Sequence, residues 1–328
     1  MSEKPCLFSV IIPVFNNELY IKQTLDSVLS QLDENTEVII INDGSTDNSA
    51  SIIQQTVDAY RGASRLHFFS QPNAGVSATR NVGLEMAQGA WFGFIDGDDL
   101  WCPDFWQTIK PIILQHEVDL IDFQYHYFKD QLPESVTLPG SESSVIIEHK
   151  DHDALDEVFQ RSYWHIWSRV YCRDLISKHR FFVGRRYEDM MFTPWLYLEA
   201  NRILRLNKTL YWYRDNAYGI TRNIQASDIN DMVFALNQIL TYVQTGSQTA
   251  IPMRLITSLI INCFNEIKGM HAKFYGFYNY SEQTMSALRT AGKLLPPASI
   301  PLKKRLHMRY PLFWKIASRF RHWVQQNQ

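Results

Sequence analysis

This 328-residue chain has few cysteines, almost no net charge and no long apolar run, and each shortage removes a class of function. Its four cysteines, Cys6, Cys102, Cys172 and Cys263, are widely spaced and form no C-x-x-C pair. Neither a zinc site nor a disulfide framework is therefore expected, and a reducing compartment is the default. No uninterrupted apolar stretch reaches the ~18 residues of a membrane-spanning helix. The N-terminus, MSEKPCLFSVIIPVF, enters a strand pattern without a charged leader or a small-residue cleavage site, so a cytoplasmic protein is expected. A formal charge of −2 supplies no overall field to attract nucleic acid. Internal repeats and low-complexity tracts are also missing, which sets aside solenoids and disordered scaffolds.

What is present describes an ordinary folded protein: 45% hydrophobic and 20% charged residues, with chain enough for two domains or one large one. Phe8 to Val14 (FSVIIPV) and Glu37 to Ile41 (EVIII) are nearly continuous β-branched runs, as buried parallel strands require. Leu66 to Phe69 predicts a third strand and Trp91 to Ile95 a fourth. Between them, Glu18 to Leu32, Ser49 to Tyr60 and Val76 to Gln88 carry apolar residues at helical spacing. Four strands alternating with three helices predict a doubly wound α/β sheet, in which ligands bind beyond the carboxyl ends of the strands. The polar clusters Asn16-Asn17-Glu18, Asp43-Gly44-Ser45, Asn73-Ala74-Gly75 and Asp96-Gly97-Asp98-Asp99 all follow strands, so one rim can gather them. Beyond Leu120, Lys129 to Ser144 reads as a connecting loop, Leu155 to Asp174 as helix then strand, and Met190 to Ala200 as a helix with acids in its first turn. Leu204 to Arg214 reads as strand, and Asp228 to Leu288 is mainly helical.

The acids after the fourth strand are the most informative cluster. Three carboxylates within four residues repel one another unless a cation or hydrogen-bond donors occupy them. Hard divalent ions take one or two carboxylates together with the oxygens of a bound phosphate. In isolation the cluster reads as a solvated acidic turn, and Asp43-Gly44 as a plain turn. Asp43, with Asn42, can instead contact a uracil or thymine ring, while Asp47 suits a helix N-cap. Arg80 falls early in a helix that follows a glycine turn, where a guanidinium either reinforces anion binding at the helix N-terminus or is a surface arginine of an amphipathic helix.

In this order and spacing, PVFNN, INDGSTDNS, NAGVSATRNVGL and FIDGDD closely resemble the family 2 glycosyltransferases of the GT-A fold. The resemblance runs from about Phe8 to Arg222. It implies a Rossmann-like, mostly parallel sheet with flanking helices and a largely helical C-terminal region. The corresponding division is 1–128 for the nucleotide-sugar half, 129–225 for the acceptor half and 226–328 for the helical region. It also implies transfer of a sugar from a nucleotide-sugar donor, usually a UDP-sugar, with Mg²⁺ or Mn²⁺. On the family pattern Pro13, Phe15 and Glu18 line the nucleotide pocket, Asp43 contacts the base and Arg80 lies near the diphosphate. Asp98 would hold the metal, and Asp96 the ribose or the metal's shell. Tyr187-Glu188-Asp189 resembles the segment that supplies the catalytic base, with Asp189 preferred over Glu188; on sequence alone both acids could merely stabilise a helix N-terminus. Trp167-Ser168-Arg169-Val170-Tyr171 resembles a W-x-K-L-Y element, with Arg169 where Lys is usual. Tyr211 to Arg214 resembles an aromatic-Arg strand near the donor diphosphate.

The resemblance implies an inverting, single-displacement transfer to a hydroxyl of a glycan or lipid-linked acceptor in surface-polysaccharide assembly (O-antigen, capsule or lipopolysaccharide). Two other classes stay open: a sugar-phosphate nucleotidyltransferase and a non-catalytic binder of nucleotide sugars. The first usually shows a Gly-rich basic loop after its first strand, where this chain has PVFNN. From Pro301 to Gln328 the charges are Lys303, Lys304, Arg305, Arg309, Lys315, Arg319 and Arg321, with no acid, interleaved with bulky apolar residues. Such a segment suits an anionic membrane surface, or else packs on the body with a solvated basic face. Pro311 splits it into two short helices. The expected site of action is the inner face of the cytoplasmic membrane, with no nucleic-acid partner.

Overall fold

The structure, a computed structural model, describes residues 6–62, 64–115, 117–129, 144–148, 151–216, 223–245 and 251–327. The chain forms two compact units, Met1–Asp151 with Trp164–Gly219, and His152–Tyr163 with Ile220–Gln328. In chain order the elements are β1 (Phe8–Val14), α1 (Ile21–Leu29), β2 (Thr36–Asp43), α2 (Ser49–Ala59), β3 (Arg65–Gln71), α3 (Val76–Met86) and β4 (Trp91–Phe94). There follow β5 (Leu100–Trp101), α4 (Phe105–Gln115), β6 (Leu120–Phe128), β7 (Ser144–Glu148) and α5 (His152–Arg161), the last in the second unit. The first unit closes with β8 (Arg169–Cys172), α6 (Arg173–Ile176), α7 (Asp189–Glu199) and β9 (Arg202–Arg214). The second continues with α8 (Ala226–Gln244), α9 (Met253–Tyr275), α10 (Glu282–Leu294), α11 (Leu302–Arg309) and α12 (Pro311–Gln326).

Every residue of β1 and β2 is buried, which is why their sequences are unbroken rather than alternating. β1 pairs in parallel with β2 and β4, and β2 with β3, so the expected parallel arrangement holds across this side. The full order is β3-β2-β1-β4-β8-β6-β9-β5, with β7 also on β9. Beyond β4 the sheet is mixed: β8 is antiparallel to both neighbours, β9 parallel to β6, and β5 and β7 antiparallel to β9. A four-residue strand such as β8 carries no sign of its direction in its sequence. α1 starts at Ile21 rather than Glu18 because Asn17 to Tyr20 form a turn, with the Tyr20 and Ile21 amides both donating to the Asn17 carbonyl at 2.9 Å. Helix α4 and strands β5, β6 and β7 add to the sequence expectation. Pro111 inside α4 masks its helical pattern. The connecting loop expected at Lys129 to Ser144 falls largely outside the described residues, although Ser144 opens β7.

Two close approaches position the site. α3 lies so near β1 that a Cβ on Gly83 would stand 2.4 Å from Ile11 Cγ2. From β9, the Tyr211 hydroxyl donates to Asp99 Oδ2 at 2.6 Å and accepts from the Asp96 amide at 3.3 Å, pinning the loop between β4 and β5 at both ends.

In the second unit, Ile256, Leu259, Ile260, Cys263, Phe264 and Ile267 of α9 are buried, as their spacing predicts. They share a core with Ile229, Met232 and Leu236 of α8 and Leu288 of α10. The split at Pro311 is seen between α11 and α12. No helix among the described residues is long and apolar enough to cross a membrane.

Two stability outcomes follow from these approaches. Gly83→Val forces α3 off β1 and lowers unfolding free energy by about 1–3 kcal/mol in urea titration. Tyr211→Phe strands the buried Asp99 oxygen and costs about 1–3 kcal/mol by the same measurement.

Candidate active site

The carboxyl ends of β1 to β4 meet through their loops. The Asn16 amide donates to Ser45 Oγ at 3.0 Å, and the Thr46 amide donates to Asn16 Oδ1 at 2.8 Å. Asn16 holds φ at 51°, in the left-handed region that its short polar side chain tolerates. Thr24 Oγ1 donates to the Gly97 carbonyl at 3.0 Å, tying α1 to the acidic loop. Three of the four clusters also lock onto one another directly. Asp43 accepts from Gln71 Nε2 (2.7 Å), the Ala74 amide (2.9 Å) and the Gly75 amide (2.8 Å), which fixes the turn that starts α3.

These bonds also place the residues expected to line a nucleotide pocket. Pro13 is buried in β1, and Phe15 just beyond it is half exposed. Glu18 Oε2 accepts from the Asn48 amide at 2.9 Å and from its side chain at 2.7 Å, so this carboxylate serves the start of α2. The N-cap of α2 is Asn48 rather than the expected Asp47, whose Oδ1 accepts from the Ser49 amide at 2.9 Å from one residue further out. Asn42 and Asp43 are both buried and bonded to protein partners, with Asp43 Oδ2 taking a single donor, the Gly75 amide, among the described residues.

Arg80 is the centre of the site. It lies on α3 only 3% exposed, donating through Nη2 to Asp96 Oδ1 at 2.7 Å and through Nη1 to Glu188 Oε1. Asp96 belongs to the loop after β4, and Glu188 is the N-cap of α7, so one guanidinium joins the acidic loop to the Glu188-Asp189 pair. The residue before this pair, Tyr187, has φ 61°, a strained conformation at the turn into α7. Asp189 Oδ1 accepts from the Met190 amide at 2.8 Å, and no hydrogen bond to Oδ2 is found among the described residues. Burial holds the carboxyls of both Glu188 and Asp189 above the ordinary range. Arg80 compensates Glu188 directly and reaches Asp189 through no hydrogen bond among the described residues.

The rest of the acidic loop is held differently at each residue. Asp99 is fully buried against Tyr211 and the Arg214 amide, and burial with the neighbouring charges of Asp98 and Asp96 pushes it well up. It is a structural acid. Asp98 Oδ2 accepts from Asn216 Nδ2 at 2.8 Å, and burial raises its pKa, the mark of an under-compensated negative charge. Arg214 donates through Nε to the Asp98 carbonyl at 2.6 Å and through Nη2 to Gln23 Oε1 at 2.8 Å. Its guanidinium stacks on Tyr20 and Phe128, 4.5 Å from each ring centre. Asp96, Asp98, Glu188 and Asp189 outnumber Arg80 and Arg214, an excess of acid that a cation would offset. Among the described residues no three side chains of metal-ligating type converge to hold an ion unaided. The arrangement fits a hard divalent ion that takes its remaining oxygens from a bound diphosphate and water.

One neighbour escaped the sequence reading. His165 Nδ1 lies 3.8 Å from Asp189 Oδ2, with its ring stacked on Trp167 at 4.6 Å. Burial and the charge of Arg169 drive its pKa down to about 4, so at neutral pH it is an uncharged ring rather than an ion-pair partner. No motif flags it, although it stands two residues before the quoted Trp167 element. Arg169 itself is buried, donating to Tyr197 Oη at 2.8 Å and to the His165 carbonyl, and so serves to hold this segment in place.

Comparison with known proteins bears on the whole assembly. The model of "Glycosyl transferase family 2" matches residues 9–163. The uncharacterized glycosyltransferase EpsJ of Bacillus subtilis is 29% identical over 226 residues, which are 66% of this chain and 63% of EpsJ. The chain thus spans less than two thirds of that relative's length. An uncharacterized glycosyltransferase of Haemophilus influenzae is 32% identical over 186 residues, 57% of this chain and 70% of the relative. Among solved structures, residues 1–349 of S. aureus TarS in complex with UDP-GlcNAc share the fold, with a TM-score of 0.68 and 20% identity over 95% of this chain and 89% of that one. The expected GT-A fold is therefore present, and by the family match together with the Haemophilus relative the chain belongs to glycosyl transferase family 2.

Proposed function

We propose that this chain is an inverting glycosyltransferase that moves a sugar from a nucleotide-sugar donor, a UDP-sugar in the first instance, to a hydroxyl of a glycan or lipid-linked acceptor in surface-polysaccharide assembly. The observation that carries the reading is the sharing of Arg80 between Asp96 and Glu188, which sets a candidate base beside the acidic donor loop. The UDP-GlcNAc bound by TarS, a protein of the same fold, supports the choice of donor. Family membership and a first loop of PVFNN, without a Gly-rich basic run, favour sugar transfer over nucleotidyl transfer.

On this reading Phe15 supplies an exposed aromatic face for the base at the end of β1. Pro13 and Glu18 shape that pocket, and Asp43 adds an acceptor for a ring N–H. The acceptor hydroxyl donates to Asp189 Oδ2 and loses its proton there as its oxygen attacks the anomeric carbon. The bond from that carbon to the diphosphate breaks in the same displacement, which inverts the configuration. Arg214, packed between two rings at the rim, offers charge to the departing diphosphate. Arg80 keeps Glu188 from competing for the proton. A Mn²⁺ or Mg²⁺ ion held by Asp98 and Asp96 would add electrostatic stabilisation of the leaving group. The uncharged His165 ring beside Asp189 leaves the base's proton affinity high. We place this work at the inner face of the cytoplasmic membrane, where lipid-linked acceptors present their glycans.

Two measurements test the reading. Asp189→Asn lowers kcat by about 10²–10⁴-fold with UDP affinity nearly unchanged. Because burial raises the Asp189 pKa and a base works only when deprotonated, wild-type kcat/KM falls as pH drops through that raised value, earlier than for an ordinary carboxylate. Full activity in the variant removes Asp189 from the role. In calorimetry with Mn²⁺, UDP binds wild type, and Asp98→Ala weakens it by at least about tenfold. A folded wild type that binds neither UDP nor another nucleoside diphosphate contradicts the transferase proposal.

A further inference from the structure

The last helix of the second unit has its polarity reversed. Along α12, Pro311 and Ser318 are buried and Lys315 and His322 half-buried, marking one stripe of the helix that packs on the unit's own core. The contacts are specific: the Tyr278 amide donates to Ser318 Oγ at 3.0 Å, Lys315 Nζ donates to the Tyr280 carbonyl at 2.7 Å, and Trp314 stacks on His307 at 4.7 Å. Trp314 apart, the helix is therefore docked by its smaller and more polar residues. On its opposite side Leu312, Phe313, Ile316, Phe320 and Trp323 are 49–64% exposed. At 100° per residue these five fall within one face of about 100°. A helix that covers a core turns such residues inward, so this face is built for something outside the unit.

Charge identifies the occupant. Arg319 and Arg321 are exposed and lie on either flank of the apolar face, and Lys303 and Arg309 are exposed on α11. Leu302, Leu306 and Tyr310 are exposed around α11 as well. The whole segment from Pro301 to Gln328 holds no Asp or Glu. An apolar face with aromatic residues, bordered by guanidiniums and free of acids, matches a bilayer whose surface carries phosphate charge. A protein partner or a second copy would also cover apolar residues, but neither accounts for the one-signed border in a chain whose formal charge is −2.

We propose that α12 lies in the plane of an anionic lipid surface, with Leu312, Phe313, Ile316, Phe320 and Trp323 entering the interface and Arg319 and Arg321 meeting lipid phosphates. α11 contributes Arg309 at the edge of the same surface. This agrees with a lipid-linked acceptor but does not rest on the transferase reading, since docking on lipid needs neither donor nor base.

The test uses the full chain and vesicles of phosphatidylcholine with about one third phosphatidylglycerol, beside pure phosphatidylcholine. Wild type co-sediments with the anionic vesicles, and more weakly at high salt. The double variant I316E/F320E reduces binding at least about tenfold, and R319Q/R321Q weakens it and flattens the salt dependence. Circular dichroism and melting of each variant match wild type, because all four positions are exposed. Should I316E/F320E melt early, quenching by brominated lipid in unsubstituted protein, compared with Trp323→Phe, reports whether that indole enters the bilayer. No binding by wild type, or equal binding by all forms, overturns the proposal. A wild-type dimer that ignores vesicles and dissociates in I316E/F320E assigns the face to a second copy instead. Donor hydrolysis measured in parallel separates these outcomes from a failure of the active site.

Discussion

A buried guanidinium between two acids is the constraint on which the first unit depends. Arg80 is nearly inaccessible, and its Nε has no partner among the described residues, so Asp96 and Glu188 carry all of its compensation. Removing a partner from such a cluster typically costs about 3–5 kcal/mol, because the remaining charge is left unpaired in a poor solvent for it. The clamp therefore fixes three things together: the position of α3, the path of the loop after β4, and the start of α7. Close packing at Gly83 sets the helix that delivers the guanidinium, so backbone contact and charge pairing serve one geometry.

The acidic loop shows how one short sequence is divided among tasks by its surroundings. Asp96 answers to Arg80, Asp98 to Asn216, and Asp99 to Tyr211 and the Arg214 backbone. Asp98 and Asp99 each take one side-chain donor and neither has a guanidinium bonded to its carboxylate, but Asp99 also accepts from the Arg214 amide and is the more firmly held of the two. The neighbouring Asp99, equally acidic in the sequence, is a framework residue.

Much of this was legible from residues alone, and the limits have physical causes. β1 and β2 were readable because both faces are covered and the apolar run is unbroken. The rim was readable because each polar cluster sits at a strand's end. β6 was not: Tyr125, His126 and Tyr127 lie toward solvent at its far end, and its pattern mixes with the surrounding polar residues. β5, at two residues, is shorter than any periodic signal. Glu188 and Asp189 stood out through their resemblance to a family segment, but their different surroundings depend on Arg80, which is 108 residues from Glu188 in sequence. His165 is invisible for the same reason, since its relation to Asp189 exists only after folding. For α12 the composition showed aromatic and basic residues, and only the packing of Lys315 and Ser318 shows which side faces out.

The left-handed backbone at Tyr187 has an engineering consequence. Such a conformation costs a non-glycine residue on the order of 1–2 kcal/mol, and a glycine there would recover part of it. The same glycine would free the hinge that holds Glu188 on Arg80, widening the orientations open to both acids. At this position heat tolerance and a fixed placement of the two carboxylates pull in opposite directions, so a search that selects for the first alone selects against the second.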